Sequence, residues 1–187
     1  GHAVTAFVRN PARFTMTHER LAVVQGNVLE YDSVDQAVRE KDAVLSALGH
    51  KQWFIPTKIL SEGTRNIVAA MEKHGIKRFV CETSLGVGDS RGRLGLYYTL
   101  FVIPWITWFY FRDKERQERI IRESSLDWVI VRPGQLTNGE KRGVYRHGSK
   151  IGSYVTTVRI SRADAAEFML KQVSDDSCLR QTVGVAY

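Results

Sequence analysis

Cysteine is scarce here: the 187 residues hold two, Cys81 and Cys178, with neither C-x-x-C spacing nor a disulfide-dense pattern. That excludes a disulfide-stapled scaffold and predicts reduced thiols in a cytoplasmic protein; no signal-peptide pattern is visible. Metal ligands are equally sparse. His50, His74 and His147 are scattered, and no His/Cys/Asp/Glu group has ligand spacing, so no metal is expected. No G-x-S-x-G elbow is present, which removes the hydrolase reading. Repeats, low-complexity tracts and a disorder signature are also lacking, and 43% hydrophobic with 25% charged residues is ordinary for one globular domain spanning 1–187. Glycine-rich turns of the G-x-G-x-x-G or G-x-x-G-x-x-G kind occur nowhere.

What is present is a steady alternation. Strand-like runs at Ala3–Val8, Leu21–Gln25, Ala43–Leu48, Arg78–Cys81, Trp128–Val131 and Thr182–Val185 are separated by helical patterns. This predicts an α/β fold, a Rossmann-like doubly wound parallel sheet with helices on both faces. Asp32 or Ser33 is expected to cap a helix running through Val38, and Pro56-Thr57 to open a long helix that stops at Gly75. Ser161-Arg162-Ala163-Asp164 reads as a capping box before Phe168, Met169 and Val173.

The first strand ends on a basic residue, Arg9, and the turn after it carries another, Arg13. A dinucleotide-binding sheet reads the adenosine ribose at this point, with an acid for a 2′-hydroxyl and an arginine for a 2′-phosphate. The position therefore favours NADP over NAD, the alternative being a strand-end charge facing solvent. Such a sheet also needs an opening strand and a glycine turn where backbone meets pyrophosphate at a helix N-terminus. Neither is in the chain, which starts in the turn that would follow them; an apolar strand and a G-x-x-G-x-x-G-type turn are expected upstream of Gly1. A formal charge of +7, from 27 basic and 20 acidic residues, suits a phosphate-rich ligand. The basic residues are dispersed and no nucleic-acid module is recognisable, so DNA or RNA ranks as a minor alternative.

One segment breaks the rhythm. Leu94 to Phe111 (LGLYYTLFVIPWITWFYF), inside an apolar insert at 86–112, carries no charge. Its length suits a membrane span, but Pro104 would kink or divide it, and it lies between two core strands. An apolar lid over an apolar or aromatic substrate is preferred, with an interfacial or homo-oligomer contact second.

Two motifs carry chemistry. Thr83-Ser84 puts hydroxyls at the carboxyl end of a central strand, where open α/β sheets bind ligands. Tyr110 and Lys114, at i and i+4, share one face of a helix. A tyrosine beside an ammonium can hand a proton to a substrate oxygen that a serine holds, while hydride comes from a nicotinamide. The alternative makes Tyr110 an aromatic of the insert and Lys114 a solvated member of the charged stretch Arg112–Arg122.

Six stretches together bring out a resemblance: VTAFVRNPARF (4–14), VVQGNVLEYDSVDQAV (23–38), DAVLSALG (42–49), SEGTRNIVAAMEKHGIKRFV (61–80), LDWVIVRPG (126–134) and ISRADAAEFML (160–170). The chain resembles atypical short-chain dehydrogenases/reductases, in particular the NAD(P)H-binding proteins similar to biliverdin reductase B (flavin reductase) and NmrA-like proteins. The resemblance implies that Arg9 and Arg13 hold the 2′-phosphate, that Asn27 and Val28 flank the adenine, and that Leu48, Gly49 and His50 lie along the cofactor. Thr83 and Ser84 would border the nicotinamide, with the backbone of Pro133, Gly134, Gln135 and Leu136 on its carboxamide. Asn27 stands where relatives often have Asp, and the insert is longer than in the biliverdin reductase B type, so the substrate does not transfer. The expected activity is NADPH-dependent reduction of an apolar or aromatic carbonyl, quinone, flavin or tetrapyrrole-like acceptor through Ser84, Tyr110 and Lys114. The rival is an NmrA-like NADP(H) sensor without catalysis.

Overall fold

The computed structural model, which describes residues 1–50, 52 and 54–187, alternates strands and helices along the chain. They are β1 (Val4–Val8), β2 (Leu21–Gln25), α1 (Tyr31–Val38), β3 (Ala43–Ser46), α2 (Ile59–Lys73), β4 (Arg78–Glu82), α3 (Ile103–Trp105) and α4 (Trp108–Glu123), followed by β5 (Asp127–Pro133), β6 (Gln135–Thr137), β7 (Arg146–Gly148), β8 (Arg159–Ser161), α5 (Arg162–Lys171) and β9 (Gln181–Ala186). β1 and β2 pair in parallel; a second sheet has the order β3-β4-β5-β9-β7, parallel except where β7 meets β9. A small parallel pair, β6-β8, extends the end of β5.

Strand pleating sends alternate side chains to opposite faces, and both faces are covered. Phe79, Cys81 and Ile130 meet Val34 of α1, Met71 of α2 and Ile121 of α4, while Val80, Val129 and Val131 meet Phe168 and Met169 of α5. Phe7 of β1 and Val44 of β3 pack against the same first cluster, so the two main sheets share one core.

The helix ends differ from their sequence signals in instructive ways. Neither Asp32 nor Ser33 caps α1, whose N-cap is Glu30 without a side-chain hydrogen bond; Asp32 sits in the first turn, where its charge faces the positive end of the helix dipole. α2 starts at Ile59 rather than at Pro56-Thr57, and its N-cap Lys58 offers no side chain to the free N–H groups. Asp113 of α4 does so instead, accepting from Leu60 N at 2.9 Å and Ser61 N at 3.3 Å. The predicted stop holds: Gly75, at φ +71°, follows the last turn. Ser161 caps α5 by accepting from Asp164 N at 3.0 Å. The Asp164 carboxylate does not complete the box, because it receives the N–H groups of Arg142 and Gly143 and the hydroxyls of Ser161 and Tyr187. Burial works against its charge, but these donors outweigh that and hold its pKa far below the usual carboxylate range.

The insert is fixed along one side. Leu94, Tyr98, Ile103 and Tyr110 pack with Leu85, Val87 and Phe111 beneath. Among the described residues, no helix is long and apolar enough to cross a membrane.

Candidate functional site

Every site residue chosen from the sequence lies at or beyond the carboxyl end of a strand, or on the helix packed over those ends. β1 and β2 form one parallel pair, β3, β4 and β5 follow one another in the other sheet, and Phe7 and Val44 bring β1 and β3 onto one core. Open α/β sheets bind ligands at the carboxyl ends of their strands. Gly63 of α2 draws the strand ends together: an added Cβ would lie 2.8 Å from Val28 and 3.3 Å from Leu48. Asn66 Nδ2 ties the same place by donating to Val28 O at 2.9 Å.

α4 lies over this edge and carries Tyr110 and Lys114 on one face, as their spacing predicts. Lys114 is not a solvated member of a charged stretch. It is 2% exposed, and its Nζ donates to Thr83 O at 3.0 Å while lying 5.0 Å from the centre of the Tyr110 ring. The Tyr110 hydroxyl points toward Gly49, 3.9 Å from where a Cβ there would sit. His50 meets the Tyr110 ring edge-on at 4.9 Å between centroids, and its Nε2 is 3.0 Å from Thr57 Oγ1. Burial lowers the His50 pKa; Asp113 opposes the shift and the nearby Lys114 charge adds to it. Burial likewise raises the pKa of Glu82, the last residue of β4, against the pull of Lys114 and Arg162.

Beneath this set lies a buried polar layer that the sequence reading missed. Arg132 makes a two-pronged pair with Glu118, Nε to Oε1 at 2.8 Å and Nη2 to Oε2 at 2.7 Å, with the side chains 3% and 1% exposed. Thr83 Oγ1 donates to the same carboxylate at 2.8 Å, and Arg122 at 2.9 Å. The Thr83 hydroxyl is thus engaged in support, whereas its carbonyl seats Lys114. The available signal was Lys114 and Glu118 at i and i+4, a spacing equally typical of a solvated pair.

The remaining residues are placed with varying freedom. Arg9 and Arg13 are exposed and form no ion pair among the described residues. The Asn27 side chain accepts from Leu29 N at 3.2 Å and donates to Glu30 at 3.0 Å, forming the turn after β2. Ser84 Oγ donates to Leu85 O at 2.9 Å. In the Pro133–Leu136 segment, Gly134 N and Gln135 N are bound to Val185 O and Val158 O, and Pro133 O accepts from Leu85 N.

Known proteins share the fold that carries these residues. The chain is 30% identical over 156 residues to an uncharacterized chloroplastic protein of Arabidopsis thaliana, covering 76% of this chain and 54% of that protein's length. The chain therefore spans about half of this relative. A short-chain dehydrogenase/reductase of Veillonella parvula, solved in complex with NADP, superposes with a TM-score of 0.79 at 19% identity over 99% of this chain and 82% of the other. The anaerobillin reductase ChuY of Escherichia coli O157:H7 gives 0.77 at 23% identity over 97% and 83%. These two likenesses establish the Rossmann-like fold. A family model described as NAD(P)H-binding matches residues 1–176, and the chain belongs to that NAD(P)H-binding family.

Proposed function

We propose that this protein binds NADPH along the carboxyl edge of its sheet and reduces an apolar or aromatic acceptor: a carbonyl, quinone, flavin or tetrapyrrole-like compound. The observation that carries the reading is the phenol of Tyr110, aimed at Gly49 and flanked by the buried ammonium of Lys114. The residues fit a dinucleotide. Arg9 and Arg13 offer two guanidinium groups, unpaired among the described residues, for a 2′-phosphate, and Gly49 leaves the strand end open, since among the described residues only the Tyr110 hydroxyl lies within 4 Å of its missing Cβ. One structural neighbour holds NADP and another is an anaerobillin reductase, which supports this choice of cofactor and chemistry.

When bound, the cofactor supplies hydride. Tyr110 donates its proton to the acceptor, and Lys114, held by Thr83 O, places positive charge beside the oxygen as that proton leaves. Ser84 turns its hydroxyl from Leu85 O to orient the acceptor. Arg9 and Arg13 would hold the 2′-phosphate, Asn27 and Val28 would flank the adenine, and the backbone of Pro133, Gly134, Gln135 and Leu136 would bind the carboxamide.

NADPH consumption by the full-length protein, screened against flavins, quinones and aldehydes, tests the reading. Tyr110→Phe should lower kcat at least ~100-fold with NADPH affinity nearly unchanged. Wild type should prefer NADPH to NADH by roughly 10–100-fold, and Arg9→Ala should erase most of that preference, because charge-assisted hydrogen bonds to the phosphate are lost. Full turnover in Tyr110→Phe would give the proton to solvent, and equal affinity for both cofactors would make Arg9 an ordinary strand-end charge. Tight NADPH binding with no turnover on any acceptor would favour the sensor.

A further inference from the structure

The chargeless segment has an outward side that none of the described residues covers. Tyr97, Leu100, Phe101, Trp105 and Trp108 are 62%, 54%, 60%, 77% and 48% exposed. Large apolar side chains exposed singly are unremarkable, but a contiguous group marks an interaction surface. The segment bends through a π turn at Tyr98–Val102, passes Pro104 in α3, and breaks before α4, so it lies along the surface rather than forming one long helix.

The exposed side continues from Trp108 along α4 as Arg112, Arg116 and Arg119. Arg112 sits over the Trp108 ring at 5.8 Å. None of the three arginines has an ion pair among the described residues, whereas the acids between them are taken, Glu115 by Arg91 and Glu118 by Arg132. An aromatic patch therefore borders a row of uncompensated guanidinium groups.

We propose that this surface docks on an anionic phospholipid bilayer, with the aromatic side chains at the boundary between headgroups and acyl chains and Arg112, Arg116 and Arg119 on lipid phosphates. Tryptophan and tyrosine rings favour that boundary, and an amphipathic element with a basic polar side lies in its plane. Guanidinium groups match phosphate geometry with paired hydrogen bonds, and the net charge of +7 adds attraction at longer range. A self-complementary dimer through the same patch would bring two unneutralised arginine rows together. A lid alone would turn its aromatic side chains inward.

Sedimentation of the full-length protein with vesicles tests this, using phosphatidylcholine alone and phosphatidylcholine mixed with phosphatidylglycerol. Binding should require the anionic lipid and weaken with salt, and tryptophan emission should shift to the blue on binding. Phe101→Ser with Trp105→Ser should abolish sedimentation. Arg112→Gln with Arg116→Gln should lower partitioning by roughly 25-fold, about fivefold for each basic side chain at such a surface. All four positions are exposed, and circular dichroism checks that the variants fold. Absence of binding to anionic vesicles, or binding that survives both double variants, overturns the proposal. So does a concentration-dependent dimer that Phe101→Ser with Trp105→Ser dissociates while vesicle binding is absent.

Discussion

The two sides of α4 depart from the usual distribution of polarity on a surface helix. Inward, Asp113, Lys114, Gln117 and Glu118 are no more than 2% exposed and lie with the buried Phe111 and Ile121; outward, Trp108 and Phe109, 48% and 38% exposed, stand with Arg112, Arg116 and Arg119. An ordinary amphipathic helix buries an apolar stripe and leaves its polar groups outside. The inner side is stable because most of its polar groups have partners: Asp113 takes the free N–H groups of α2, Lys114 binds Thr83 O, Gln117 donates to Thr64 at 3.0 Å though its Oε1 accepts nothing among the described residues, and Glu118 receives Arg132, Arg122 and Thr83. Hydrogen bonds are directional where apolar contacts are not, so this layer sets the rotation and height of α4 over the sheet and hence the place of Tyr110. The outer side makes no comparable set of contacts, and its aromatic groups contribute little to folding. One side holds Tyr110 in place over the strand ends and the other presents an exposed surface.

The largest effect expected of this contrast is at Glu118. Glu118→Ala leaves the buried Arg132 with the exposed Asp89 as its remaining ion-pair partner among the described residues, and should destabilise the fold by about 3–5 kcal/mol in denaturant unfolding. Glu118→Leu combined with Arg132→Met should recover most of the loss, because a matched apolar pair leaves no unpaired charge. A loss under about 1 kcal/mol for Glu118→Ala would mean that the inner layer is not what holds α4.

A smaller effect, with a definite sign, is expected at Glu82, whose pKa burial raises. An acid whose folded pKa lies above its unfolded value contributes fully below the unfolded pKa and loses that contribution as pH rises through the folded one. Glu82→Gln should therefore raise Tm at pH 7, with the gain vanishing below about pH 4. A loss at pH 7 that faded on acidification would show that the carboxylate is favourably paired instead. The smallest effect belongs to the outer side. Trp105→Ser should change stability by no more than about 0.5 kcal/mol, as for other exposed positions, and a substantial loss would show that the aromatic surface is part of the core.

Much of this was legible beforehand. Strands β1 to β5 and β9 announced themselves as apolar runs, Gly75 as a helix stop, and Tyr110 with Lys114 as one helical face, since each signal depends on neighbours within a few residues. The short strands β6, β7 and β8 were not, because three residues carry too little periodicity to register. The cap on α2 was misplaced for a different reason. The carboxylate that supplies it, Asp113, is 53 positions away from Leu60, and no local pattern distinguishes it from exposed charges nearby such as Arg112 and Arg116.

By itself, the sequence determined the order of the longer strands and helices, the basic strand end at Arg9 and Arg13, and the presence of a hydroxyl, Ser84, and a phenol, Tyr110, in the segments after β4 and before β5, because these follow from residue type and short-range spacing. Only the tertiary structure decided that Lys114 and Glu118 are buried supports rather than solvated charges, and which side of the insert faces out. A helix in isolation exposes all its sides equally, and burial is assigned only when α4 packs between Thr64 of α2, the end of β4 and Arg132 of β5.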